Sequence, residues 1–147
     1  DWINQLDVKG LFRSKQGAAF VWATGPKLDL AIDAIRSWGL HYRGVAFVWV
    51  KTRQDGQIMG ASGVPPTATK PKTEFVLLAT TRKAGRPFPL LSSKVDQVVL
   101  APRTVHSEKP LAVYDRIVEL YGDRPRIDVF SRREIAGWDR WGNQAPE

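Results

Sequence analysis

The chain has 147 residues, 43% of them hydrophobic and 25% charged, a composition that supplies one globular domain with a core and excludes a low-complexity or fibrous chain. It has no cysteine and only two histidines, His41 and His106, which excludes a disulfide framework and any thiolate metal site; no bound metal is expected. Its net charge of +7 points to a polyanionic partner, most simply nucleic acid.

In chain order, the apolar run "GAAFVWAT", Gly17 to Thr24, is bounded by polar and turn residues and reads as a strand buried on both faces. Leu28, Ala31, Ile32, Ile35 and Trp38 then recur at helical spacing, with Pro26 suited to the first turn and Gly39 to the position past the end. "GVAFVWV", Gly44 to Val50, is a second buried strand, so this stretch reads as a βαβ unit with a parallel pair. From Lys51 to Lys72 there is no period but several glycines and prolines; a loop of about twenty residues in a compact domain is a functional or disordered one. Further strands are expected at Glu74 to Thr81, Asp96 to Pro102 and Arg126 to Phe130. A second helix is marked by Leu111, Tyr114, Ile117, Val118 and Tyr121, opened by Pro110 and closed by Gly122.

These elements predict an open, mostly parallel α/β sheet flanked by helices in a single domain, residues 1–147, with ligands bound past the carboxyl ends of the strands. No apolar run approaches the about 18 to 20 residues that cross a bilayer, and the amino-terminal residues lack a signal-peptide pattern. A cytoplasmic protein without a membrane partner is expected.

Neither a G-x-G-x-x-G nor a G-x-x-x-x-G-K-[ST] phosphate loop occurs, which argues against nicotinamide enzymes and nucleotide hydrolases. Between Lys51 and Arg86, seven bases (Lys51, Arg53, Lys70, Lys72, Arg82, Lys83, Arg86) face two acids (Asp55, Glu74), a nucleic-acid surface or simply a solvated one. "PRTVHSEKP", Pro102 to Pro110, lies between a strand and a helix start, where free backbone N–H groups and Lys109 favour an anion; taken alone, Arg103 and Lys109 read first as surface cations. In "SRREIAGWDRWGNQ", Trp138 and Trp141 are expected to pack, whereas Asn143 and Gln144 carry the donors and acceptors that suit ribose and an adenine edge.

Together, "AAFVWATGPKLDLAIDAIRSWGLHYRGVAFVWVKT", "KTEFVLLATTR", "RTVHSEKP" and "RIDVFSRREIAGWDRWGNQ" resemble, in order and spacing, the MT-A70 family of S-adenosylmethionine-dependent adenine-N(6) methyltransferases. The resemblance implies a Rossmann-like methyltransferase sheet and S-adenosyl-L-methionine as methyl donor. It places Lys109 on the donor's methionine carboxylate and Arg132, Asn143 and Gln144 on its ribose and adenosine, with Arg103 and His106 shaping the same pocket. Trp22, Thr24 and Glu74 fall near the substrate, and Lys51, Lys70 and Lys72 on the nucleic acid side. The substrate implied is adenine in DNA ahead of RNA, in a prokaryotic or phage-encoded protein, and a homodimer or heterodimer is compatible with it.

One departure matters. The family's D-P-P-W motif does not occur; Pro65-Pro66 is the only Pro-Pro pair and has neither the acid nor the aromatic. An adenine amino nitrogen is a poor nucleophile, so the chemistry needs an acceptor to polarise it and an aromatic face to hold the flipped base. The catalytic residues are therefore unassigned, and the expectation is a domain lacking its N-terminal portion, including the catalytic strand. The alternatives are a catalytically inactive module that binds nucleic acid or supports a partner subunit, and an unrelated α/β nucleotide-binding domain.

Overall fold

The computed structural model describes residues 2–59, 67–104, 108–131 and 133–142. Strand β1 spans Ala18–Thr24, a 3-10 turn at Gly25–Lys27 takes up Pro26, and helix α1 runs Leu28–Ser37. Gly39, at φ +75°, stops the helix, its N–H reaching the Arg36 carbonyl at 2.9 Å. Strand β2 covers His41–Thr52 and so begins ahead of Gly44, which the sequence marks as a boundary. Gly44 (φ +111°) sits instead at a register irregularity within β2, where an unbranched backbone absorbs a bulge without ending the strand. Strands β3 (Thr73–Thr80) and β4 (Val98–Pro102) follow. Helix α2 spans Leu111–Tyr121, with Pro110 as its N-cap and the Gly122 N–H closing on the Val118 carbonyl. Strands β5 (Ile127–Val129) and β6 (Asp139–Trp141) complete the described chain.

The main sheet has the order β1-β3-β2-β4. β3 lies antiparallel to both β1 and β2, and only β2 and β4 are parallel neighbours. The expectation of a mostly parallel sheet is therefore corrected to a mixed one. β1 and β2 do run the same way around α1, but they are not neighbours, because β3 is inserted between them. The cause lies in the connection: no helix occurs between β2 and β3 among the described residues, and the chain returns alongside the strand it has left. β5 and β6 pair in parallel as a separate two-stranded sheet, so the fifth expected strand does not extend the main one.

Both faces of the main sheet are covered over β3, which is what an uninterrupted apolar strand requires, whereas Val98 and Leu100 of β4 stay exposed on the α1 face. On one face Ala23, Leu77 and Ala79 pack with Ile35 and Leu40, joined by Leu28, Ala31 and Ile32 of α1. On the other, Phe47, Val76 and Val99 pack with Val113, joined by Ala112, Ile117 and Leu120 of α2. The N-terminal turn Trp2–Gln5 is held against α1 by the Trp38 indole, which donates to the Ile3 carbonyl at 2.8 Å. Trp138 packs edge-on to Tyr114, with ring centroids 5.2 Å apart, as expected; Trp141 is instead 51% exposed beside Phe130. Among the described residues, no helix is long and apolar enough to cross a membrane.

The topology has one consequence for function. The carboxyl ends of β1, β2 and β4 and the amino end of β3 meet along a single edge, with Thr24 and Trp49 both opposite Glu74, and Lys51 opposite Ala101.

Candidate functional site

Alternation along the strands decides which side chains meet at this edge. Trp22 and Thr24 are two apart on β1, as are Trp49 and Lys51 on β2 and Glu74 and Val76 on β3. The register places all three pairs on the α2 face of the sheet. Lys109 enters from the segment that leads into α2.

At the centre is Glu74, only 8% exposed. One carboxylate oxygen accepts from Lys109 Nζ at 2.6 Å and the other from Lys51 Nζ at 2.8 Å. Each ammonium also lies against an indole: Lys109 Nζ is 5.0 Å from the centroid of Trp22, and Lys51 Nζ 5.2 Å from that of Trp49. The two indoles meet edge-to-face at 6.1 Å, and Trp49 Nε1 donates to the Ala101 carbonyl at 2.9 Å, which ties the cluster to β4. The result is two cations and one anion, a net positive site floored by aromatic rings.

Burial pushes the Glu74 carboxyl up, but the hydrogen bonds and charges of Lys109 and Lys51 outweigh it and hold the group below its ordinary value of 4.5. A carboxyl with a lowered folded value contributes stability above its unfolded value and loses it as pH falls through the folded one. Acid titration of folding, followed by tryptophan fluorescence, is therefore expected to show a loss of stability below about pH 4.5 that is shallower in Glu74→Gln. Identical slopes in the two proteins would remove Glu74 from this account.

A second network fixes the entry to α2. Arg133 donates from Nη1 to Glu108 Oε2 at 2.7 Å and from Nη2 to the backbone carbonyl of Lys109. Its guanidinium lies 6.0 Å from the Tyr114 ring centroid. Tyr114 in turn donates to Asp128 Oδ2 at 3.0 Å, and burial, followed by the Asp128 charge, pushes its hydroxyl well above the usual tyrosine range. The Glu108 N–H reaches Thr104 Oγ1 at 3.2 Å.

Of the residues singled out from sequence, Trp22, Thr24, Lys51, Glu74 and Lys109 come together at this edge. Lys72 directly precedes β3, and its carbonyl accepts from the Lys51 N–H at 2.9 Å; Lys70 is exposed two residues earlier. Arg103 is exposed just past β4. His106, Arg132, Asn143 and Gln144 lie outside the described residues. The basic stretch from Lys51 to Arg86 is not one surface. Arg82, Lys83 and Arg86 follow the far end of β3, an eight-residue strand that separates them from Glu74 by roughly 25 Å. There Arg43 holds the loop by donating to the Arg82 and Gly85 carbonyls at 3.4 and 2.8 Å. Arg53 is paired with Asp55 in the exposed turn after β2.

Sequence reasoning missed Trp49 and the Arg133–Glu108 pair. The W-x-K spacing of Trp49 and Lys51 was a usable signal, since residues two apart on a strand share a face. Nothing local could have paired Arg133 with a residue 25 positions away.

The MT-A70 family model matches residues 1–144. The type II methyltransferase M.MunI of Mycoplasma sp is 35% identical over 145 residues, covering 99% of this chain and 57% of that protein. An N(6)-adenosine-methyltransferase MT-A70-like protein of Drosophila melanogaster is 28% identical over 130 residues, covering 87% of this chain and 21% of that protein. The chain thus spans little more than half of one relative and about a fifth of the other.

Proposed function

The chain belongs to the MT-A70 family of methyltransferases, and on that premise we propose that it forms the donor-binding part of an S-adenosylmethionine-dependent enzyme that methylates the exocyclic amino group of adenine in nucleic acid. The observation that carries the proposal is the convergence of Lys109, Glu74 and Lys51 over two indoles at the carboxyl edge of the sheet. In open α/β sheets this edge is where ligands bind. On this reading the mixed sheet is a Rossmann-like methyltransferase sheet in which β3 is the antiparallel member, and residues 1–147 belong to one domain.

The residues present fit the methyl donor. Lys109, whose side chain is 33% exposed, can give a charge-assisted hydrogen bond to a carboxylate while Glu74 holds its other side. Bound S-adenosylmethionine supplies an activated methyl group on a sulfonium. The chain's own residues supply placement: Lys109 grips the carboxylate, Glu74 keeps the two ammonium groups from scattering, and Trp22 and Trp49 wall the site from water. By the family pattern, Arg132, Asn143 and Gln144 are assigned to the adenosine part, and Arg103 and His106 to the same pocket. Thr24, Lys51, Lys70 and Lys72 face the nucleic acid, DNA ahead of RNA.

The test is transfer of labelled methyl from S-adenosylmethionine to adenine in duplex DNA and in RNA by the full-length protein, with donor binding measured in parallel. Label in N(6)-methyladenine supports the enzyme. Donor binding without transfer supports the catalytically silent module. No donor binding overturns the proposed function.

Nucleic acid binding is expected to weaken with salt. If two or three of Lys51, Lys70 and Lys72 meet phosphates, log K against log salt has a slope of about −2 to −3, reduced by about one unit in Lys70→Ala. A flat salt dependence by fluorescence anisotropy would exclude these lysines as the contact surface.

A further inference from the structure

We propose that Arg133 is the positioning residue for Lys109, a link that makes the grip on the donor carboxylate depend on the C-terminal segment; the inference rests on the assignment of Lys109 to that carboxylate. Three observations carry it. First, Arg133 holds both the Glu108 carboxylate and the main-chain carbonyl of Lys109 itself, so it fixes the backbone from which the lysine projects. Second, that backbone has little freedom of its own. Lys109 precedes Pro110, whose ring confines the preceding residue to extended conformations, and Pro110 is already engaged as the helix cap, its carbonyl accepting from Val113 at 3.2 Å. A shift at the Lys109 carbonyl therefore displaces the backbone from which the lysine reaches Glu74 rather than being absorbed in the neighbouring residues.

Third, Arg133 is itself fixed. The hydroxyl of Ser131, a residue 4% exposed, donates to the Arg133 carbonyl at 2.5 Å and accepts its N–H at 3.4 Å. Ser131 follows Phe130, a non-glycine residue at φ +61° at the end of β5. Such a conformation is strained and persists only where the surroundings over-determine it. The connection thus runs from the end of β5 through Ser131 and Arg133 to the Lys109 carbonyl, and from Lys109 Nζ to Glu74.

Arginine suits this role and lysine does not. A planar fork presents two N–H groups to a carboxylate and a carbonyl at once, whereas a single ammonium is a point charge on a flexible stem. Loss of the fork should therefore matter even when the charge is kept.

The first test needs no ligand. In the free full-length protein, the amine reactivity of each lysine is read by competitive reductive methylation and mass spectrometry, in wild type, Arg133→Ala and Arg133→Lys. Lys109 is expected to become several-fold more reactive in both variants. Lys51 shares Glu74 but is carried by β2, and is expected to stay unchanged. A parallel rise at Lys51 and Lys109 means general loosening and overturns the proposal, as does no rise at Lys109. In the second test, Arg133→Ala is expected to lower S-adenosylmethionine affinity about tenfold, the scale of one charge-assisted hydrogen bond. Affinity for 5′-methylthioadenosine, which lacks the carboxylate, should not change. The Arg133→Ala/Lys109→Ala double variant should be no weaker than Lys109→Ala alone; additive losses overturn the coupling. If the wild-type protein binds neither compound, the donor assignment falls, and the labelling result still decides the role of Arg133.

Discussion

Glu74→Gln is expected to cost about 2–3 kcal/mol of folding stability, the largest loss available from a single polar substitution at this site. The amide keeps the shape of the carboxylate but leaves the Lys51 and Lys109 ammonium groups, bonded at 2.8 and 2.6 Å, facing each other across a neutral group. Breaking a fully buried ion pair costs about 3–5 kcal/mol; the lower figure applies here because Lys109 is a third exposed and can turn to water. The direction of the Glu74 shift supports this ranking, since the two ammonium groups outweigh the burial that by itself raises the carboxyl. Urea denaturation measures the effect. Adding Lys51→Met to Glu74→Gln should recover part of the loss by removing the unmatched cation, with its stem replaced by a side chain of similar length. A loss under about 0.5 kcal/mol, or a double variant weaker than either single, would show that the triad is a solvated surface arrangement.

Lys109→Ala is expected to lower S-adenosylmethionine affinity by about 10- to 100-fold, corresponding to about 1.5–3 kcal/mol for a hydrogen bond to a charged group. The same substitution should leave 5′-methylthioadenosine binding within about twofold, because that compound has no carboxylate for the lysine to meet. Titration calorimetry with both compounds separates the effects. Equal losses for the two would mean that Lys109 supports the pocket as a whole. No loss for either would move the carboxylate elsewhere, with Lys51, the other ammonium on Glu74, as the next group to replace. Lys109→Ala also removes one of the two cations on Glu74, so its stability is measured alongside, and affinities are compared at a temperature where both proteins are folded.

Much of this protein is legible in its sequence. Both helices lie where their apolar period and their Pro and Gly boundaries place them, since a helix records its buried face within each turn. The four strands of the main sheet lie where the apolar runs are. Five of the residues nominated for binding, Trp22, Thr24, Lys51, Glu74 and Lys109, do meet at one edge.

The rest was decided by tertiary structure, for reasons that can be stated residue by residue. An apolar run such as Glu74 to Thr81 reports that both faces are covered and carries no mark of direction, so the antiparallel insertion of β3 could not be read from it. β6 has three residues, too few to show a period. The charges from Lys51 to Arg86 look continuous along the chain, but β3 carries them to opposite ends of the sheet. The bond between Lys109 and Glu74 joins residues 35 apart, and that between Arg133 and Glu108 residues 25 apart. By itself the sequence determined what each segment can become, because period, branching and turn residues act over one turn or one strand. Which cation meets which carboxylate depended on strand order and register, which are settled only when distant faces pack together.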